Sequence, residues 1–294
     1  MMTDSKVIVA ENVNKFFGCY RALNDLSVTV EYGDVYGFIG KNGAGKTTFM
    51  RIVCGLMKQS SGTVNIFTNQ SGEKVCGYNP NKIGFLPQNV KLNDNVSAIK
   101  MIEFFADLKN TDPKVYIKFA KELELDVTKT VRNFSPGQQR KLQLIIATIG
   151  SPTLLVLDEP TAGLDPVGVQ QVREIIRTLR KKGCTIFISS HVLAELDNLC
   201  SKVAIIQKGQ MLYQGLCSSA YEFETDGAVS DMIELLPEDQ KEKCTVDGAK
   251  LIANIHRNEV PEFLESLYTR GIRVFGVRRQ GLETLYNHFA KESV

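Results

Sequence analysis

The chain has 294 residues, of which 43% are hydrophobic, and its 35 lysines and arginines almost balance its 33 aspartates and glutamates. This length can bury a substantial core, and it accommodates one large domain with at most a small appendage. A formal net charge of +2 gives no support for nucleic-acid binding, which usually requires a basic domain, so no nucleic acid is expected among the partners.

A strand, a glycine-rich turn and a helix are predicted within the first sixty residues. Leu26, Val28 and Val30 alternate with polar residues, as is typical of a half-buried strand. A second apolar run at residues 35–39 leads through the turn into residues 47–56, which have a helical pattern. This order places a helix N-terminus where a ligand can bind.

Three helical patterns follow one another between about residues 97 and 150, with little strand signal. In the last of them, apolar residues recur at i, i+3, i+4 and i+7 from Leu142 to Ile149, which indicates one buried helix face. We therefore predict a helical subdomain at about residues 90–150.

Strands and helices alternate after this subdomain. Short apolar strands are predicted at residues 154–157, 184–189 and 203–207, and helices at 172–179 and 192–199. Continuous apolar strands that alternate with helices are typical of a mainly parallel sheet that is buried on both faces. The central fold is therefore predicted to be α/β.

The periodic pattern weakens after Gly215. The acid-rich stretch 221–248 shows no clear period, and we interpret it as a linker or a mobile stretch. A small β-α-β-α unit is expected after it, at residues 250–255, 260–269, 272–277 and 282–290. The predicted organisation is one domain at residues 1–215, then a linker and a small C-terminal extension at residues 216–294.

The strongest motif is GKNGAGKTT at residues 40–48, which fits G-x-x-x-x-G-K-[ST] between a predicted strand and a predicted helix. Its glycines allow successive backbone N–H groups to point at phosphate oxygens. Lys46 can reach the β- and γ-phosphates, and the Thr47 hydroxyl can ligate magnesium. The residues predicted to bind the nucleotide here are Asn42, Gly43, Ala44, Gly45, Lys46, Thr47 and Thr48.

Two carboxylates, Asp158 and Glu159, follow the apolar strand at residues 154–157. In P-loop ATPases an aspartate at this point holds magnesium, so Asp158 is the predicted metal ligand together with Thr47. Glu159 can polarise an attacking water if it lies within hydrogen-bond reach. The sequence thus predicts ATP hydrolysis, with ATP and Mg²⁺ as the cofactors.

Further motifs stand in the same order as in ABC-type ATPases, and the chain resembles that family over about residues 5–215. The run FSPGQ at 134–138 resembles the family's LSGGQ signature, and IGFLPQ at 83–88 is similar to its glutamine loop. GLD at 163–165 looks like the loop whose aspartate crosses a dimer interface, and SSH at 189–191 is similar to the switch-histidine segment. Phe17 matches an aromatic residue that stacks on adenine.

The resemblance implies a role for each matching residue. The catalytic residues would be Lys46, Gln88, Glu159 and His191. Gln88 would join Thr47 and Asp158 at the metal. Phe17 would bind adenine, while Ser135, Gly137 and Gln138 would bind nucleotide from a second chain. The implied fold is a P-loop nucleotide-binding α/β core with a mainly parallel sheet, an antiparallel N-terminal β part and a helical subdomain, plus a small α+β C-terminal extension.

Two positions depart from the family pattern. Pro136 stands where the signature usually has glycine, and proline has no backbone N–H for a γ-phosphate. Two interpretations of Pro136 stay open: a weakened contact with the phosphate, or a proline that simply suits the first turn of a helix. Phe17 replaces the more frequent tyrosine and keeps the stacking ring.

A single phosphate loop and a single signature imply a second nucleotide-binding subunit, in a homodimer or a heterodimer. One hypothesis is an energising subunit for a separately encoded integral membrane transporter protein. The other is a soluble ABC-type ATPase in DNA repair or translation, which usually has two cassettes or long coiled-coil insertions. The segment 216–294 resembles the extension of subunits that serve multidrug, peptide-antibiotic and immunity exporters, so export is favoured and import is the alternative. A regulator that binds ATP without hydrolysis is disfavoured by Glu159.

The expected location is the cytoplasm, peripheral on the inner face of the cell membrane. No apolar run approaches the roughly 18 residues that a membrane-spanning helix needs, and the first residues lack the pattern of a secretory signal. Seven scattered cysteines without a CxxC pair argue against a disulfide framework and a zinc site. We expect reduced, mostly buried thiols.

Overall fold

The computed structural model describes residues 6–68, 80–197, 199–217, 220–227, 229–236, 241, 244–255, 259–279, 281–282 and 286. The chain divides into two compact units, Met1–Gln214 and Gly215–Val294. In the described residues the first unit contains two sheets and the second unit one, and each unit has a hydrophobic core of its own.

A three-stranded antiparallel sheet opens the first unit, in the order β2-β1-β4. Its strands are β1 (Lys6–Phe17), β2 (Tyr20–Glu31) and β4 (Ser61–Thr68). The predicted face of Leu26, Val28 and Val30 is buried, which confirms the alternation in the sequence. The short β1–β2 turn passes through Gly18 at φ 57°. This hairpin brings two aromatic residues to its tip, Phe17 and Tyr20.

The central sheet has six strands in the order β5-β6-β7-β3-β8-β9. They are β3 (Val35–Ile39), β5 (Ile83–Leu86), β6 (Leu154–Asp158), β7 (Thr185–Ser190), β8 (Lys202–Gln207) and β9 (Gln210–Leu216). The pairs β5–β6, β6–β7, β7–β3 and β3–β8 are parallel, and every residue of β3, β6 and β7 is buried. The predicted parallel α/β core is confirmed. The carboxyl ends of such strands meet at one edge, where ligands bind.

Six helices accompany this sheet in the described part of the first unit. They are α1 (Lys46–Val53), α2 (Ala98–Leu108), α3 (Pro113–Glu122), α4 (Pro136–Thr148), α5 (Pro166–Lys181) and α6 (Leu193–Leu196). The helices α2, α3 and α4 share a separate hydrophobic cluster, so the three helical patterns were predicted correctly. The helix expected at 192–199 is shorter than predicted, because Asp197 leaves the helical region at ψ 135°.

In its described residues, the second unit has a four-stranded sheet in the order β11-β12-β10-β13, with two helices packed on its buried face. Its elements are β10 (Ala220–Thr225), α7 (Val229–Glu234), β11 (Thr245–Asp247), β12 (Lys250–Asn254), α8 (Val260–Thr269) and β13 (Val274–Arg279). The prediction of a strand, a helix and a strand from residue 250 is confirmed. The expected final helix at 282–290 lies largely outside the described residues.

The predicted linker at 221–248 is wrong, because this stretch contains β10, which pairs with β12 on one side and β13 on the other. Tyr221 and Phe223 are buried, whereas Glu222 and Glu224 alternate with them on the opposite face. The glutamates made the stretch acid-rich and concealed a period of two.

Among the described residues, no helix has both the length and the apolar composition to cross a bilayer. Six cysteines are described, and all are thiols. Cys54, Cys184 and Cys200 are buried, whereas Cys19 is exposed and the other two are partly exposed. The expected burial therefore holds for half of them.

Candidate active site

A cleft of about 400 Å³ lies at the edge of the central sheet where the parallel strands end. Its lining residues are Phe17, Tyr20, Ala22, Lys41, Asn42, Gly43, Ala44, Gly45, Lys46, Thr47, Thr48, Gln88 and Glu159. The structure thus brings residues 41–48 of the phosphate loop together with three predicted site residues that are distant in sequence, namely Phe17, Gln88 and Glu159. Tyr20 was not identified from the sequence, although its position opposite Phe17 in a tight hairpin was a usable signal.

The phosphate loop turns sharply at Gly45, which has φ 104° and stands directly before α1. A Cβ atom here would lie 2.7 Å from the carbonyl oxygen of Ala22 and 2.8 Å from Leu23 Cδ2. Only glycine satisfies both the positive φ and the close approach. The loop therefore presents the N-terminus of α1 to the cleft, where backbone N–H groups and the helix dipole favour an anion.

Lys46 is the cation of the cleft, and its side chain is buried at 5% exposure. Its Nζ donates to the carbonyl oxygens of Gly40 (2.5 Å) and Lys41 (3.3 Å) and lies 3.2 Å from Glu159 Oε1. The ammonium group is thus held beside the loop by the backbone and by one carboxylate. Phosphate oxygens that bind in the loop meet a positioned positive charge.

Asp158 is completely buried at the end of β6, and two hydroxyl groups donate to its carboxylate. Thr47 Oγ1 donates to one oxygen at 2.7 Å, and Ser189 Oγ donates to the other at 2.7 Å. The Ser189 Oγ also accepts the backbone N–H of Glu159 at 3.0 Å. Ser189 therefore fixes the carboxylate of Asp158 and the backbone of Glu159, a role that the sequence did not reveal.

Glu159 occupies the left-handed region at φ 50° and is 4% exposed. This conformation is uncommon for a residue with a Cβ, and it is observed here at the point where the chain leaves β6. One carboxylate oxygen contacts Lys46, and the other contacts Nδ1 of His191. His191 is about two-fifths exposed, so it links Glu159 to the open side of the site.

The described residues contain no group of three His, Cys, Asp or Glu side chains that could hold a metal by itself. Thr47 and Asp158 instead offer one hydroxyl and one carboxylate beside the phosphate loop. This donor set fits Mg²⁺, which is usually bound by one or two carboxylates together with waters and substrate phosphates.

The aromatic wall of the cleft is the tip of the β1–β2 hairpin. Phe17 is 47% exposed and Tyr20 is 59% exposed, and both line the cleft. The Tyr20 hydroxyl lies 3.5 Å from the carbonyl oxygen of Gly43, at the limit of a hydrogen bond. Exposed rings beside a phosphate loop form a surface on which a purine can stack.

The signature residues are not among those that line this cleft; they begin helix α4 instead. Ser135 is the N-cap: its Oγ accepts from the backbone N–H of Gln138 (3.3 Å), and the Gln138 side chain accepts from Ser135 N (3.0 Å). Pro136 is the first helical residue, where its missing N–H is not needed by the helix. The structure thus places Pro136 at the helix start, and whether it also weakens a contact with the γ-phosphate remains a prediction.

Arg140 was also missed by the sequence analysis. It is 6% exposed and donates to the backbone of the turn that carries Glu159. The available signal was a pair of cations, Arg140 and Lys141, directly before the mostly apolar second half of a helix.

Comparison with known proteins agrees with this geometry. The ABC transporter family matches residues 23–162. The lantibiotic transport ATP-binding protein SrtF of Streptococcus pyogenes is 35% identical over 206 residues, which cover 69% of this chain and 88% of that protein. The bacitracin transport ATP-binding protein BcrA of Bacillus licheniformis is 36% identical over 215 residues, or 71% of this chain and 69% of that protein.

One relative is similar over both units of the chain, and solved structures share the fold of the first unit. YhcH of Bacillus subtilis, an uncharacterised ABC transporter ATP-binding protein, is 32% identical over 283 residues, or 92% of this chain and 91% of that protein. A dimeric ATP-binding cassette in a post-hydrolysis state, bound to ADP and Pi, has the same fold with a TM-score of 0.63, at 21% identity over 71% of this chain and 98% of that one. The chain therefore belongs to the family of ABC transporter ATP-binding proteins, and it is an ATP-hydrolysing subunit.

Proposed function

We propose that this chain forms a two-subunit ATP sandwich that powers export through a separate membrane-spanning protein. The observation that carries the dimer is the separation of two half-sites within one chain. The phosphate loop lines the cleft, whereas Ser135, Gly137 and Gln138 stand at the start of α4 and do not line it. A second chain would complete the site with its own signature.

The proposed chemistry uses the groups around the cleft in order. Phe17 stacks on adenine, and the backbone of residues 42–48 with Lys46 holds the phosphates. Glu159 accepts a proton from water as the water oxygen attacks the γ-phosphorus and the bond to the β–γ bridging oxygen breaks, which yields ADP and phosphate. His191 holds the second oxygen of the Glu159 carboxylate and keeps it oriented.

Thr47, Asp158 and Gln88 are the proposed magnesium ligands. The metal ion would neutralise charge on the β- and γ-phosphates. Asp158 is suited to this role because its position is fixed by two hydroxyl donors before any ligand binds. Gln88 is exposed at the cleft, where its amide can reach the metal or the attacking water.

Mixing two defective variants tests the shared site. A Lys46→Ala chain keeps its signature, and a Ser135→Arg chain keeps its phosphate loop, so a mixed dimer contains one complete site if the halves come from different chains. We expect each variant alone to be inactive and the mixture to recover ATPase activity. Two Lys46→Ala preparations mixed together are the control. No recovery in the mixture would refute the shared site.

Glu159→Gln tests the proposed base. The amide cannot accept the proton, while the contacts to phosphate and metal survive. ATP should therefore bind without being hydrolysed, and an ATP-bound dimer of the variant should accumulate. Sedimentation with and without ATP measures this dimer. Turnover near the wild-type rate would show that Glu159 is not the base.

Export through a separate partner is supported by the relatives named for lantibiotic and bacitracin transport. Co-expression with the neighbouring reading frames should therefore co-purify a polypeptide with about six membrane spans. ATPase activity should rise when that partner is present in liposomes. If the chain associates with ribosomes or DNA instead of a membrane protein, the transporter proposal is wrong and the alternative of a soluble ATPase in DNA repair or translation replaces it. Substrate uptake by an assembly with a membrane protein would indicate import.

A further inference from the structure

Arg140 is a buried cation under the turn that carries the two carboxylates. Its Nε donates to the carbonyl oxygen of Pro160 at 2.7 Å. One terminal nitrogen donates to the carbonyl oxygens of Glu159 at 2.7 Å and Asp158 at 3.3 Å. Three consecutive carbonyl groups of this turn thus face a single guanidinium group.

The remaining nitrogen of Arg140 connects the same turn to the glutamine loop. It donates to Gln143 Oε1 at 3.0 Å and to the carbonyl oxygen of Pro87 at 3.4 Å. Gln143 in turn donates to the carbonyl oxygen of Val90 at 3.1 Å. Pro87 and Val90 enclose Gln88, which lines the cleft. A guanidinium has five N–H groups. The five hydrogen bonds of Arg140 therefore use all of its donors.

Burying the charged guanidinium of Arg140 costs free energy, and an apolar side chain could fill the same space without this cost. Burial lowers the pKa of Arg140 to about 10, although nearby Asp158 favours its charged form. A methionine would fill similar volume without a buried charge. The turn includes Glu159 at φ 50°, a left-handed backbone conformation that is unfavourable for a residue with a Cβ atom. Three of the five hydrogen bonds of Arg140 therefore hold the backbone segment that contains this uncommon conformation.

We propose that Arg140 is a positioning residue for ATP hydrolysis, which fixes the turn carrying Glu159 against the signature helix α4 and the glutamine loop. It acts through the backbone and does not touch the nucleotide cleft. The inference rests on the proposed role of Glu159 as the base. Its consequence is that movement of α4, which begins with the signature, is transmitted directly to the carboxylate of the same chain.

The test compares Arg140→Met, Arg140→Lys and a matched control, Lys141→Met. Lys141 is the next residue of α4, is also buried, and donates to the carbonyl oxygen of Leu123 in the helical subdomain at 2.9 Å. Misplacement of a catalytic group by about 1 Å can lower the rate on the order of 100-fold, so Arg140→Met should lower kcat by about 10- to 100-fold. The KM for ATP should change by less than about twofold, because the phosphate loop is not altered.

Lysine offers three donors without the planar fork, so Arg140→Lys should restore kcat only in part. Lys141→Met should reduce resistance to urea and leave kcat at the wild-type value. If Arg140→Met does not fold, the Arg140→Lys variant decides. A wild-type kcat in Arg140→Lys, or an Arg140→Met that raises KM without lowering kcat, would overturn the proposal.

A parallel measurement of Glu159→Gln separates this inference from the proposed function. If Glu159→Gln is inactive while both Arg140 variants retain kcat, only the positioning role fails. If Glu159→Gln hydrolyses ATP at nearly the wild-type rate, the assignment of the base fails first.

Discussion

Ser189→Ala removes one hydroxyl that holds both the Asp158 carboxylate and the backbone of Glu159. Ser189 Oγ donates to buried Asp158 at 2.7 Å and accepts the backbone N–H of Glu159 at 3.0 Å. A hydrogen bond to a charged group contributes about 1.5 to 3 kcal/mol, and a buried N–H left without an acceptor costs about 1 to 3 kcal/mol. We therefore expect the free energy of unfolding to fall by about 2.5 to 6 kcal/mol, a large share of the stability of a typical protein.

Thr185→Val is the matched control, because it also deletes one buried hydroxyl from β7 and otherwise conserves volume. Among the described residues, Thr185 Oγ1 accepts the partly buried backbone N–H of Gly33, at 2.9 Å, so its loss should cost about 1 kcal/mol. Urea-induced unfolding measures both variants, and ATPase assays at saturating ATP should show a reduced kcat for Ser189→Ala alone. Equal destabilisation of the two variants, or an unchanged kcat in Ser189→Ala, would refute this account of Ser189.

Three further predictions concern the rim of the cleft and the signature. Phe17→Ala should weaken ATP binding by about 1 to 3 kcal/mol through lost stacking, whereas Phe16→Ala, an exposed ring that does not line the cleft, should bind normally in a nucleotide titration. Iodoacetamide should label exposed Cys19, and ATP should slow this labelling; Cys54 should stay unlabelled in the folded protein, since burial raises its pKa to about 12, and mass spectrometry identifies the labelled sites. Pro136→Gly restores a backbone donor in each of the two sites of the dimer, and each regained hydrogen bond should contribute about 1.5 to 3 kcal/mol. The ATP-dependent dimer of the Glu159→Gln variant should therefore become more than tenfold tighter. An unchanged dimer dissociation constant would mean that Pro136 is a helix-start residue only.

Features that depend on neighbouring residues could be predicted from the sequence. The phosphate loop is one contiguous run of residues, and the positive φ of Gly45 is a local property of its turn. The apolar strands β3, β6 and β7 are buried on both faces, so their pattern is continuous and easily recognised.

Features that depend on distant partners could not be predicted in this way. The strand β10 alternates glutamates with buried aromatic residues, and an acid-rich composition concealed its position between two partner strands. Arg140 and Ser189 have ordinary local surroundings in the sequence. Their importance arises only when folding places backbone carbonyls and a buried carboxylate against them.

In the proposed mechanism, the contact between Lys46 and Glu159 couples substrate binding to the chemistry. The ammonium group lies 3.2 Å from a carboxylate that is itself 4% exposed. A phosphate that binds Lys46 competes directly with that carboxylate, because both are anions that seek the same few N–H donors. Binding of ATP therefore weakens the contact between Lys46 and Glu159, and it places the phosphate bond that is to be broken in the same cleft. On the proposed mechanism, the substrate itself therefore frees the base that activates the attacking water, and no separate signal is needed to keep that base inactive between turnovers.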